Sequence, residues 1–217
     1  MIDDPAAVAG LVTREVRSGS RGGRPATFAV APRTYPTDRA DLWDAVTNPD
    51  RIPRWFLPVT GDLRVGGRYQ FEGNAGGVVE GCDEPESFTV TWEMGPMVSW
   101  VAVTLTPAED GTTLELVHEA HVDPGLWGQF GPGAVGVGWD LALMALGLHA
   151  ASGEQVDREE GTRFPLTPAG LEFTRVSATG WAEAAIGDGD EPGPAHEAAA
   201  RTVAFYTTPP EDDPTAR

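Results

Sequence analysis

Hydrophobic and polar residues alternate in three successive stretches of the chain. Phe88, Val90, Trp92 and Met94 interleave with Thr89, Thr91 and Glu93. Val101, Val103 and Leu105 interleave with Ala102, Thr104 and Thr106; Leu114, Leu116 and His118 interleave with Thr113, Glu115, Val117 and Glu119. A period of two sends successive side chains to opposite faces, so each stretch predicts a strand with one dry and one wet side. Turn signals at Gly66-Gly67, 74–77, 83–85, Gly95-Pro96 and 109–111 divide residues 63–122 at hairpin spacing. Together they predict an antiparallel meander packed on one face.

The pattern differs on either side of the meander. Residues 26–35 (ATFAVAPRTY) read as a strand, with Pro32 marking an edge or a bulge. Thr37 or Asp38 caps a helix whose first turn carries Asp38 and Asp41, and Leu42, Ala45 and Val46 form its apolar stripe. Asn48-Pro49 ends that helix and begins a second, which Pro53 keeps short. From about Pro132 to Ala151 apolar residues nearly encircle the helical wheel, predicting a buried helix lying across the concave face of the sheet.

After a polar connector at 153–163, Thr167-Pro168 opens a helix to about Ile186, and a shorter one follows at 195–206. Residues 1–24 are polar and glycine-rich, with an edge strand expected at 11–17 and a turn at 18–23. The expected organisation is an N-terminal segment (1–24), a principal α+β domain (25–152) and a helical extension (153–217). The tail PPEDDPTAR (209–217) is expected to be disordered. No internal repeat is apparent.

Composition narrows the functional classes. Across 217 residues there are 33 acidic and 15 basic residues, a net charge of −18, and every basic residue is Arg. This charge argues against nucleic acid and against anionic membrane surfaces, because phosphate binding needs a basic footprint. Cys82 is the only cysteine, which excludes an intrachain disulfide. The acidic N-terminus lacks the layout of a signal peptide, and the apolar stretch 134–151 is short and interrupted by Asp140 and His149. A cytoplasmic protein is expected.

The segments LWDAVTNPDRIPRWF, GGRY, Thr91-Trp92 and GAVGVGWDLALMALGLH resemble the START-like (SRPBCC) superfamily. Within it they are most similar to the bacterial branch named after the activator of the heat-shock-protein ATPase. The resemblance spans roughly residues 12–151 and is carried by the combination of Trp43, Trp55 and Gly138-Trp139. It implies a helix-grip fold: a curved seven-stranded antiparallel sheet around a long C-terminal helix, with a pocket between them. The superfamily holds lipid carriers, hormone-binding proteins, cyclases and co-chaperone domains without a common catalytic set, so the resemblance implies a cavity and not a reaction. The two helices beyond residue 164 exceed the minimal domain. They could lid the cavity, cover the sheet or pair two copies into a homodimer.

On that reading Trp55, Trp92, Trp100, Val103, Leu116, His118, Trp139 and Leu143 are the expected pocket residues for a small apolar or aromatic molecule. Trp43 is assigned to core packing, whereas Trp92 and Trp139 suit either role. His118 could orient a ligand or act as a base in a cyclase- or hydratase-type enzyme; alternatively it is a core histidine bonded to a backbone carbonyl. Asp140 could share acid–base work, sit buried with an Arg partner, or face solvent at the rim. Arg54 and Arg68 could meet a ligand carboxylate or pair with the chain's own acids. His118 and His121 face opposite sides of one strand, so no metal site and no cofactor is expected. The glycines at 73–77 lack the ending of a phosphate loop, and no nucleophile elbow or zinc-binding helix motif is present.

Overall fold

The structure, a computed structural model, describes residues 4–209. Residues 210–217, most of the tail expected to be disordered, lie outside the described residues. The chain forms α1 (Pro5–Gly10), β1 (Glu15–Arg21), β2 (Arg24–Tyr35), α2 (Arg39–Thr47), a 3-10 turn (Ile52–Arg54), and β3 (Val59–Gly61). It continues through β4 (Arg68–Phe71), β5 (Gly76–Asp83), β6 (Ser87–Met94), β7 (Met97–Ala108) and β8 (Gly111–His121). Five helices follow: α3 (Pro124–Phe130), α4 (Gly133–Ser152), α5 (Arg158–Arg163), α6 (Pro168–Asp188) and α7 (Pro192–Thr207).

All neighbouring strands are antiparallel, in the order β1-β2-β8-β7-β6-β5-β4-β3. The fold is the expected α+β helix-grip, but the sheet has eight strands rather than seven. The N-terminal strand also lies further along than expected. Residues 5–10 form a helix, which Asp4 caps by accepting from the Ala7 N–H, and the strand runs to Arg21 before turning at Gly22-Gly23. In register across the sheet, Ala31, Leu116 and Val103 form one inward row, and Ala29, His118 and Val101 the next. The dry face read from the alternation is thus continuous from strand to strand.

Helix α2 is capped by Asp38, whose carboxylate accepts from the Asp41 N–H at 2.9 Å. By length and composition α4 is apolar enough to cross a membrane, yet here it packs between the sheet and α6. Two donors from β2 fix its height above the sheet. Arg33 Nη1 and Tyr35 Oη both donate to the Leu143 carbonyl, at 2.9 and 3.0 Å. On its other side a close approach replaces side-chain packing: a Cβ at Gly136 would lie 2.4 Å from the Trp181 indole. Gly136 therefore admits α6 against α4, while Gly133 and Gly138 face Thr202 and Tyr206 of α7.

Asp140 is completely buried at this junction. Its Oδ2 accepts from Arg14 Nε at 2.8 Å, from Trp181 Nε1 at 3.1 Å, and from the Ser177 hydroxyl. The solvent-facing alternative for Asp140 is thereby corrected: burial pushes its carboxyl up, and Arg14 offsets part of that. Arg14 also donates to the Ala9 and Val12 carbonyls, so one guanidinium joins α1, the start of the sheet and α4. Helix α6 covers β1 and α1 as well as α4, and α7 packs on α6. The extension therefore covers one end of the sheet.

Two outcomes follow for stability. In Gly136→Ala, about 1 kcal/mol of gained helix propensity is outweighed by overpacking of roughly 1–3 kcal/mol. A lower denaturation midpoint is expected by calorimetry, and a higher one would contradict the close approach. Arg14→Gln, which leaves a buried carboxylate without its charge partner, is expected to lose on the order of 3 kcal/mol in denaturant titration. The double variant Arg14→Met/Asp140→Leu is expected to lose less than Arg14→Gln.

Candidate ligand-binding site

A cavity of about 410 Å³ lies beside α4, over the β5–β8 half of the sheet. Its floor is made of inward-facing Val79, Val90, Val101 and Val103, with Leu114 and Leu116 of β8. Trp139, Ala142, Leu143 and Leu146 of α4 close one side; Trp43 and Val46 of α2 and Trp55 beyond it close another. The short valine floor and the large rings at the walls explain the empty volume, because β-branched side chains cannot reach across it.

The aromatic walls form a connected arc. Ring centroids are 5.5 Å apart for Trp55 and Phe56, 5.0 Å for Phe56 and Phe71, 5.7 Å for Phe71 and Trp92, and 4.9 Å for Trp92 and Trp139. Trp55 is anchored by its indole N–H, which donates to the Ala45 carbonyl at 2.9 Å. The arc is fixed by packing and by backbone bonds, so it is formed before any ligand arrives.

Of the eight pocket residues expected from sequence, Trp55, Trp92, Val103, Leu116, Trp139 and Leu143 line this cavity. Trp100 does not. It pairs with Glu119 on the outer face, under the Arg21 guanidinium at 3.9 Å and edge-on to His121 at 5.3 Å. His118 faces inward but sits behind the tryptophans, outside the lining. Its Nδ1 accepts from Trp139 Nε1 at 2.8 Å, and its Nε2 is 2.8 Å from Ser99 Oγ. Because Ser99 Oγ also donates to the Trp92 carbonyl, the imidazole must carry its proton on Nε2 and donate to Ser99.

Both nitrogens of His118 are occupied within the protein, which leaves none for a ligand or for proton transfer. Asp140 faces α6 and is held by its three donors. In this arrangement both residues are engaged within the protein, His118 through both ring nitrogens and Asp140 through Oδ2. Arg54 and Arg68 also lie outside the cavity lining: Arg54 donates to the Gly153 carbonyl at 2.6 Å, and Arg68 pairs with Glu93 at 2.6 Å. His149 is buried, with Nδ1 2.6 Å from the Glu154 carbonyl and Nε2 3.4 Å from Arg51.

Sequence reasoning missed Cys82 as a lining residue. A register shift between Val79 and Gly81 turns the strand, so Cys82 pairs with Phe88 and shares its inward face. The thiol stands exposed at the rim. The only sequence signal for this was the glycine at 81. Other polar rim groups come from Asp44, Thr47, Asn48 and Glu84.

Burial lowers the His118 pKa from its ordinary 6.5 to about 4. Between those values the unfolded chain takes up a proton that the folded chain refuses. Stability present above pH 6.5 is therefore lost as pH falls toward 4, by up to about 1.4 kcal/mol per pH unit. In His118→Gln that dependence is expected to flatten across this window in denaturant titrations at successive pH values. A slope equal to that of the unmodified chain would show that His118 titrates freely.

Comparison with known proteins agrees with this architecture. A family profile described as "Activator of Hsp90 ATPase homolog 1-like protein" matches residues 36–148. CalU16 from Micromonospora echinospora is similar in both its crystal and solution structures. The crystal form shares 30% identity and a TM-score of 0.63 over 80% of this chain and 97% of that one. The solution form shares 29% identity and a TM-score of 0.67 over 82% and 96%. DynU16, from the dynemicin biosynthetic locus, shares 21% identity with a TM-score of 0.52 over 59% of this chain and 48% of that one, which shows the fold alone. No curated protein sequence matches. The chain belongs to the family of proteins like activator of Hsp90 ATPase homolog 1.

Proposed function

We propose that this protein binds a small apolar or aromatic molecule in the cavity between the sheet and α4. The observation that carries this reading is the preformed volume of about 410 Å³ walled by a continuous arc of rings. That size falls within the range of small-molecule pockets. Its floor is aliphatic and its walls are largely rings, and its charged groups, Asp44 and Glu84, are at least partly exposed. Burying roughly 250 Å² of an aromatic ligand at about 25 cal/mol per Å² supplies at most about 6 kcal/mol, equivalent to a Kd of tens of micromolar. Reshaping of the cavity adds nothing to the opposing terms, because the arc is already in place.

The single thiol at the rim provides a direct readout. A molecule filling the cavity is expected to slow the reaction of Cys82 with a chromogenic disulfide, in proportion to occupancy. Val103→Phe, which grows a ring from the floor into the empty space, is expected to weaken binding about tenfold or more. Its thermal midpoint should stay level or rise, because the added group fills a void. Unimpaired binding in this variant, with the fold intact, would place the ligand elsewhere.

A further inference from the structure

The cavity also has an electrical polarity, and this inference rests on the binding reading above. Among the described residues its lining contains no Arg and no His; the charged side chains on it are Asp44 and Glu84, both carboxylates. Trp43 packs edge-on against Phe88 with ring centroids 6.0 Å apart, and Phe88 pairs with Cys82, two residues before Glu84. Arg39 at the start of α2 reaches Glu86 of the same hairpin at 3.0 Å. The α2 helix and the β5–β6 hairpin are thus held together, and each contributes one carboxylate to the lining.

The charges near this rim do not cancel. Arg51 is bound by two carboxylates, Asp41 at 2.6 Å and Asp44 at 3.0 Å, which leaves that trio with one net negative charge. Glu84 is exposed and enters no ion pair among the described residues. Inside the rim, the aromatic rings of Trp43, Trp55 and Phe88 line the cavity. Ring faces attract cations, and carboxylates add to that attraction in the same direction. The chain's net charge of −18 extends the same bias to longer range.

We infer that the cavity selects a ligand with an apolar aromatic body and a protonated amine, seating the rings on the arc and the ammonium at the Asp44–Glu84 rim. A carboxylate-bearing ligand of the same size, such as a fatty or aromatic acid, meets charge repulsion there and no cationic side chain in the lining to offset it. The amine remains near water, so its contribution is that of a partly exposed cation beside rings and carboxylates. About a tenfold preference over the neutral analogue is expected.

The test uses three probes with one ring system: 9-(aminomethyl)anthracene, 9-anthracenemethanol and 9-anthracenecarboxylate. Each is titrated into the full chain at pH 7 with probe fluorescence and Cys82 reactivity as readouts. The amine is expected to bind about tenfold more tightly than the alcohol, and the alcohol more tightly than the carboxylate, with the gaps narrowing as salt is raised. In Glu84→Gln the amine-to-alcohol ratio should shrink, and in Glu84→Arg the carboxylate should overtake the amine. Equal binding of all three probes, or a preference for the carboxylate, would overturn the charge selectivity while leaving the cavity reading intact. If none of the three binds or protects Cys82, both fall together.

Discussion

The position of α4 decides the shape of everything around it, and a buried carboxylate holds that position. Taking Asp140 out of water is unfavourable by several kcal/mol unless its charge is met. Three donors meet it, from the segment before β1 and from two turns of α6. Any slide of α4 along its axis would separate the carboxylate from all three at once. A pair of this kind adds little net stability compared with a well-packed apolar replacement. What it does here is make one placement of α4 far better than its neighbours, and the shared Leu143 carbonyl bonds from Arg33 and Tyr35 set the same placement from below.

The cavity is the consequence. With α4 pinned over β2 and α6 beyond it covering β1, the β5–β7 half of the sheet has no long helix above it. Helix α2 bridges part of the gap with Trp43, and Trp55 follows in the next turn, while the floor beneath is valine. Rings cannot bend into the remaining space, and each is already committed to a neighbour or to a backbone carbonyl. Collapse would require breaking the Asp140 cluster or tilting the indoles off their partners, so the void persists without a ligand to prop it.

How much of this was legible in the sequence depended on the range of the cause. The inward faces of β6, β7 and β8 were readable because alternation is local and one side of each strand is dry. Trp100 was misassigned although the same alternation places it with Ala102 and Thr104 on the wet face. Its size suggested a pocket, but Arg21 covers it from a strand remote in sequence. The six-residue α1 has too few residues to show a helical period. The partner of Asp140 lies 126 positions away, and no local pattern identifies which of fifteen arginines it is. The inward turn of Cys82 depends on a shift of register, which breaks the very period from which faces are read.

His118 shows why a polar residue on an apolar face need not be a reactive one. Its ring is spent on two bonds that tie Trp139 of α4 to Ser99 of β7, and through Ser99 to the backbone of Trp92. Those two tryptophans are the rings that stand 4.9 Å apart at the inner end of the arc. The histidine therefore aims the cavity wall from behind instead of facing what the cavity holds, and its neutrality is a condition of that role, since an imidazolium could not accept the Trp139 proton. With His118 and Asp140 turned away from the cavity, its interior distinguishes ligands mainly by shape. Any discrimination by charge is left to the rim, where solvent weakens each contribution but where only carboxylates are available to make it.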